Sequence, residues 1–243
     1  MKFYLLCSGS KGNCFVLLDR EVQLVIDCGS TKRYLLQAFL TEGLDYKRSD
    51  ALLLTHNHTD HISQLKMFST VPLYSPFPIE ERSYEHVDPK EEFRIGHLTI
   101  QPLVLSHDAP ITVGYIISNE TEKLVYITDT GYLKQTYYDL IRNADYYILE
   151  SNHDVQMLMH SNRPYLLKQR ILSDSGHLSN ETCAEILKEV IGEKTKEIIL
   201  AHLSEEANTP SLAYNAVRSV ITDENIRIQC GNQRETVEGG STE

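Results

Sequence analysis

Apolar positions along the chain recur at two periods, and the balance between them shifts from strands towards helices. In the first quarter, residues 3–7, 15–18 and 22–27 are short apolar or β-branched runs between turn clusters, which predicts strands. Gly9-Ser10-Lys11-Gly12-Asn13 is one such turn. A helix is predicted over 32–41, where Leu35, Leu36, Phe39 and Leu40 share one face. Residues 51–54 read as a short buried strand, and 98–105, 112–118 and 124–128 as further strands. The second half alternates: helix over 133–141, strand over 146–149, then helix over 164–172 with Pro164 in its first turn. Ser179-Asn180 can cap a helix running to about 191, with Cys183, Ile186, Leu187, Val190 and Ile191 at helical spacing. A strand over 197–201 and a helix opened by Thr209-Pro210 complete the pattern. Strands first, then mixed strands and helices, predict sheets sandwiched between helices, an α+β chain rather than a bundle. The expected domain spans 1–231, and the polar residues 232–243 are expected to fray.

At 41% hydrophobic and 23% charged, the 243 residues fall in the ordinary globular range. No apolar run approaches the roughly 20 residues needed to cross a bilayer, and the stretch ending at Cys7 is too short for a signal peptide. The formal charge of −11 argues against a surface coated for nucleic-acid binding but leaves room for one basic cleft. Five scattered cysteines without a CxxC argue against a disulfide framework and a cysteine zinc site, and they point to a reducing cytoplasm.

The chemistry is concentrated in Thr55-His56-Asn57-His58-Thr59-Asp60-His61. Three imidazoles and a carboxylate follow directly on a buried strand. His56 and His58 alternate as strand residues do, so both can face one cation, while Asp60 and His61 can face a second. Neutral imidazole and carboxylate are ligands for Zn, Mn or Fe. One loop cannot fill two coordination spheres. His107, Asp129 and His202 each close an apolar run, where scaffolds present functional groups.

His56-x-His58-x-Asp60-His61 resembles the HxHxDH motif of the metallo-β-lactamase superfamily, with Asp27, His107, Asp129 and His202 in the order of its other motifs. The resemblance covers residues 1 to about 222. It implies an αββα sandwich, two mixed sheets flanked by helices, with metals at one edge. It further implies that His56, His58, His107 and Asp129 hold one divalent ion and that Asp60, His61, Asp129 and His202 hold another. Asp129 would bridge the two, and Asp27 would hold a ligand in place. Ser8-Gly9-Ser10-Lys11-Gly12-Asn13, Ser106-His107-Asp108-Ala109, Glu150-Ser151-Asn152-His153-Asp154 and Ser175-Gly176-His177-Leu178-Ser179-Asn180 resemble the YycJ/WalJ-type branch more closely. That branch implies a 5′-to-3′ DNA exonuclease. Gln64 stands where the family usually has glycine, and Asn57 where glutamate is common.

Two divalent ions about 3.5–4 Å apart can bridge a water, activate it as hydroxide and stabilise attacking and leaving oxygens. The carboxylates of the ligand set do not neutralise two such ions, so the site attracts an anion. This favours a phosphodiester, with DNA ahead of RNA. Two zinc or manganese ions, or iron, fit the set. Asp60 is expected to take part in catalysis. The segment 153–177 carries Arg163, Lys168 and Arg170 against Asp154 and Asp174, so it is read as substrate-facing. His177, just before a capped helix, is a candidate general acid or phosphate clamp. It also reads as an ordinary turn residue. His153 and Arg170 are candidate substrate contacts. Lys11 and Asn13 are further ones, although their turn also reads as a plain hairpin connection. Alternatives are a phosphodiesterase for a small cyclic or nucleotide substrate, a thioester or lactam hydrolase, and a non-catalytic binding module.

Overall fold

The computed structural model describes residues 1–80 and 82–241. In chain order the elements are β1 (Lys2–Cys7), β2 (Cys14–Asp19), β3 (Val22–Ile26), α1 (Lys32–Thr41), β4 (Ala51–Leu53), α2 (Thr59–Ile62), β5 (Leu73–Ser75), β6 (Glu85–His86), β7 (Phe93–Ile95), β8 (Leu98–Val104), β9 (Val113–Ser118) and β10 (Lys123–Ile127). Then come α3 (Tyr138–Ile141), β11 (Tyr146–Glu150), α4 (Val155–His160), α5 (Tyr165–Ile171), α6 (Asn180–Val190), β12 (Glu197–Ala201), α7 (Pro210–Arg218), β13 (Arg227–Cys230) and β14 (Val237–Gly240).

Two seven-stranded sheets form, ordered β14-β1-β2-β3-β4-β5-β6 and β13-β12-β11-β10-β9-β8-β7. Both are mixed: β3 to β6 run parallel in the first and β10 to β13 in the second, and the remaining pairs are antiparallel. Strand alternation explains the layers. In β1, Phe3 and Leu5 enter the core between the sheets, while Tyr4 and Leu6 face α1. In β10 and β11, Leu124, Tyr126, Tyr146 and Ile148 point inward, while Val125, Ile127, Tyr147 and Leu149 meet α6 and α7. Because both faces of these strands are covered, they read as continuous apolar runs. The architecture is the αββα sandwich.

Helix caps follow the sequence. Thr31, Ser179 and Thr209 each accept a hydrogen bond from a backbone N–H in the first turn of α1, α6 and α7. The predicted helix over 133–141 divides into a 3₁₀ turn (Gln135–Tyr137) and the short α3.

The expected frayed tail is corrected. Its residues 237–240 form β14, an antiparallel partner of β1. The polar side chains hid a segment held mainly through its backbone. Glu238 O accepts from Arg227 Nη2 (3.0 Å) and Gln229 Nε2 (2.9 Å), and Gly240 N donates to Glu197 Oε2 (2.9 Å). Residues 242–243 of that expectation lie outside the described residues. Among the described residues no helix is long and apolar enough to cross a membrane.

Candidate metal centre

The chemistry collects where neighbouring strands end. Asp27 follows β3, the loop Thr55–His61 follows β4, Asp129 follows β10 and His202 follows β12, while Glu150 is the last residue of β11 and His107 lies three residues beyond β8. Asp27, Asp129 and His202 adopt left-handed backbone conformations (φ 59°, 58° and 56°), which turn their side chains off the strand axis. Gly29 lets the motif loop pack down, since a Cβ there would lie 1.6 Å from Asp60 O. Gln64 needs no glycine backbone: its φ is −112°, and its amide donates to Ser30 O at 2.9 Å.

Two triads form. The ligand atoms of His56, His58 and His107 lie within 4.8 Å of one another, as do those of Asp60, His61 and His202. Asp129 stands between them, with Oδ2 3.1 Å from His61 Nε2 and Oδ1 3.4 Å from His202 Nε2 and 3.9 Å from His107 Nε2. All seven expected ligands therefore converge. Asp27 Oδ2 meets His61 Nδ1 at 2.7 Å and accepts from Thr55 Oγ1 at 2.8 Å, which leaves His61 Nε2 on the side of the other candidate ligands.

His56 Nε2, His202 Nε2 and Asp129 Oδ2 are buried and have no hydrogen-bond partner among the described residues. Buried polar atoms are rarely left so. Their convergence, together with an imidazole–carboxylate donor set, fits a divalent cation.

The electrostatics agree. Burial opposes charge on His61, but the carboxylates of Asp129 and Asp27 prevail and lift it to about 10. His202 is raised in the same way against burial by Asp129, Asp60 and Glu150. Burial, then His61, keeps His56 neutral. Burial would raise Asp129 and Asp60, yet the facing histidines hold both carboxyls below the usual range.

Glu150 was not singled out from sequence. It is fully buried, and its Oε1 meets both His177 Nδ1 (2.7 Å) and His202 Nδ1 (2.9 Å). Its Oε2 accepts from Thr130 N (2.9 Å) and Leu178 N (3.2 Å). Burial is outweighed by His177 and His202, and Glu150 falls to about 2. The signal was present, because Glu150 closes the apolar run Tyr146-Tyr147-Ile148-Leu149 as Asp129 and His202 close theirs. Ser8 was also missed, and its Oγ accepts from His202 N at 2.7 Å.

A cleft of about 600 Å³ opens over the centre, lined among others by His58, Asp60, Asp108, Arg163, Leu167, Arg170 and His177. Arg170 reaches the cleft as expected and pairs there with Asp108, which also approaches His107 Nε2 (3.2 Å) and His58 Nε2 (3.6 Å). Three expected substrate contacts are corrected. His153 is 1% exposed and does not line the cleft. The bridge to Ser179 turns that strand end inward. Asn13 is buried and exchanges hydrogen bonds with Gly9, so it braces the turn, and its Nδ2 lies 2.9 Å from His61 Nε2, the atom that would take a cation. Lys11 lies beyond the cleft rim, paired with Glu205, while Ser10 lines the cleft.

The profile of the Beta-lactamase superfamily domain matches residues 23–203. The chain is 33% identical to the exodeoxyribonuclease YycJ of Bacillus anthracis, covering 94% of this chain and 92% of that one. It is also 33% identical to the exodeoxyribonuclease WalJ of Streptococcus pneumoniae strain D39, covering 88% and 85%. Among solved structures, YhfI of Bacillus subtilis, a metallo-β-lactamase fold protein, superposes with a TM-score of 0.74 at 18% identity, covering 98% of both chains. Site geometry, domain match and near-full-length relatives together make the chain a member of the metallo-β-lactamase superfamily, a YycJ-like metal-dependent hydrolase.

Proposed function

We propose that the protein is a dinuclear-metal phosphodiester hydrolase acting on DNA, an exonuclease of 5′-to-3′ polarity. The observation that carries the reading is His177, held on the cleft wall beside the ligand set by a buried carboxylate, with Arg163 and Arg170 on the same cleft. The two exodeoxyribonuclease relatives support DNA as the polymer.

His56, His58 and His107 would hold one cation and Asp60, His61 and His202 the other, with Asp129 shared. When bound, such a pair supplies Lewis acidity, an acidified water and charge stabilisation at phosphate oxygens. The protein's own groups do the rest. Nδ1–H of His177 donates to Glu150, which leaves Nε2 on the cleft side to carry a proton to the leaving oxygen. The same Glu150 oxygen accepts from His202 Nδ1, so one carboxylate fixes the tautomers of an acid and a ligand. Asp60 stands on the cleft floor, its Oδ2 3.7 Å from His61 Nε2 and 3.9 Å from His202 Nε2, placed to orient the attacking water. Arg163 and Arg170 are placed to receive phosphates.

The test is a screen with Zn²⁺ or Mn²⁺ over end-labelled duplex DNA, single-stranded DNA, RNA and bis(p-nitrophenyl) phosphate. Progressive shortening from the 5′ end of DNA is expected. Turnover of the small ester alone would leave a phosphodiesterase for small substrates and remove the nuclease reading.

A further inference from the structure

Asp108, in the cleft, meets a different partner with each oxygen. Oδ2 accepts from Nε and Nη2 of Arg170. Oδ1 stands 3.2 Å from His107 Nε2 and 3.6 Å from His58 Nε2. His107 Nδ1 lies 3.2 Å from Gly176 O, so Nε2 is the nitrogen left for a cation. Asp108 Oδ1 therefore approaches the cation-facing side of the first triad. At metal–ligand bonds of about 2.0–2.2 Å, neighbouring ligand atoms on one tetrahedral ion stand about 3.3–3.6 Å apart. Asp129 falls near that spacing against His61 (3.1 Å) and His202 (3.4 Å). Asp108 falls near it against His107 and His58.

The two carboxylates differ in how they reach the site. The Asp129 side chain is 3% exposed and belongs to the floor. The Asp108 side chain is 24% exposed and lines the cleft together with His58, His107 and Arg170. A catalytic cation keeps one position open on the substrate side. A guanidinium takes carboxylate and phosphate with the same paired N–H donors. A carboxylate set between a cation site and an arginine thus lies where a phosphate would lie, with one oxygen for each. The exposed pair with Arg170 holds little net energy, so it is easily given up.

We propose that Asp108 is an exchangeable ligand of the first cation. It is a carboxylate arm that closes the open coordination position and occupies Arg170 until a substrate phosphate replaces it at both. A phosphate oxygen takes the cation as the carboxylate leaves it, and the same phosphate takes the guanidinium. The arm covers the cation in the free protein and competes with every phosphate that enters. This rests on the phosphodiester reading above.

The test loads wild type, Asp108→Asn and Asp108→Ala with Co²⁺, whose visible absorption reports the number and kind of its ligands, and titrates each with inorganic phosphate. Without phosphate the wild-type spectrum should differ from those of both variants, because only the wild type has this carboxylate on the metal. At saturating phosphate the three should coincide. The variants should bind phosphate about 5- to 150-fold more tightly, the usual range for two coupled binding events. Identical spectra without phosphate would overturn the ligation. Spectra that still differ at saturating phosphate, or variants that fold but take up no Co²⁺, would make Asp108 a permanent ligand and overturn the exchange. Equal phosphate affinity in all three proteins would overturn it too. None of these readouts needs turnover. DNA cleavage by a wild type whose spectrum matches its variants would remove the arm and leave the nuclease reading standing. Phosphate exchange in a protein that cleaves no polynucleotide would keep the arm and remove the nuclease.

Discussion

Glu150 accepts from two imidazoles through one oxygen and from two backbone N–H groups through the other, and this limits what can replace it. In Glu150→Gln one end of the side chain becomes a donor. Either it faces Thr130 N–H and Leu178 N–H, or it flips and faces the two Nδ1–H groups. One set of buried donors is left unmatched in both cases, at a cost of about 1–3 kcal/mol. We expect Glu150→Gln to weaken metal retention about 10- to 100-fold through His202 and to slow cleavage through His177. His177→Ala should retain metal and lose about 10²- to 10⁴-fold in rate on substrates with poor leaving groups, with the smallest loss on nitrophenyl esters. Metal analysis and paired kinetics separate the two variants, and equal metal content in both would remove Glu150 from holding His202. Residue-level reading of the sequence worked where a polar side chain closed an apolar run, because a strand end can only project it into the edge of the sandwich. The same rule extends to Glu150, to which it was not applied. It failed for His153 and Asn13, since proximity along the chain does not say which way a turn faces. The bridge at Ser179 and the contacts to Gly9 turn them inward.

Among the elements, those with strong periodicity were legible: α1 spans its predicted 32–41, α6 and α7 begin at their predicted caps, and β1 to β4 and β8 to β12 lie within a residue or two of their apolar runs. The strands β5, β6, β7 and β13 were not, because two to four residues carry too little pattern to stand out from a loop. β14 was hidden for a different reason. Its stability lies in backbone pairing with β1 and in its clasp on β13 through Glu238 O, neither of which shows in composition. This gives a sharp expectation for the last ten residues. Without 234–243, β1 becomes an edge whose Phe3 and Leu5 are otherwise fully covered. At about 1 kcal/mol for each lost ladder hydrogen bond, the truncated chain should lose roughly 2–4 kcal/mol and aggregate more readily. Denaturant titration and light scattering check this, and an unchanged midpoint would mean that β14 is dispensable.

At the scale of the whole molecule, the two sheets share one core, and at the cleft edge strained backbone and unpartnered buried atoms come together. Asp27, Asp129 and His202 sit in left-handed backbone conformations, each costing about 1–3 kcal/mol. His56 Nε2, His202 Nε2 and Asp129 Oδ2 are buried without hydrogen-bond partners among the described residues. These groups follow β4 of one sheet and β10 and β12 of the other. A cation bound there ties the sheets together, and its binding energy adds to the stability of the whole sandwich rather than of one loop. For a site at a thousandfold excess of ligand over its dissociation constant, the gain is about 4 kcal/mol. In a domain of this size that raises Tm by about 8–16 °C. Chelator-treated protein should therefore melt lower by this amount, and Zn²⁺ or Mn²⁺ should restore the higher transition. Asp129→Asn, which removes the shared charge but keeps the volume, should lose most of that response. A Tm indifferent to metal in the wild type would mean that the two triads close without a cation, and the hydrolytic site would have to be sought among other groups of the cleft.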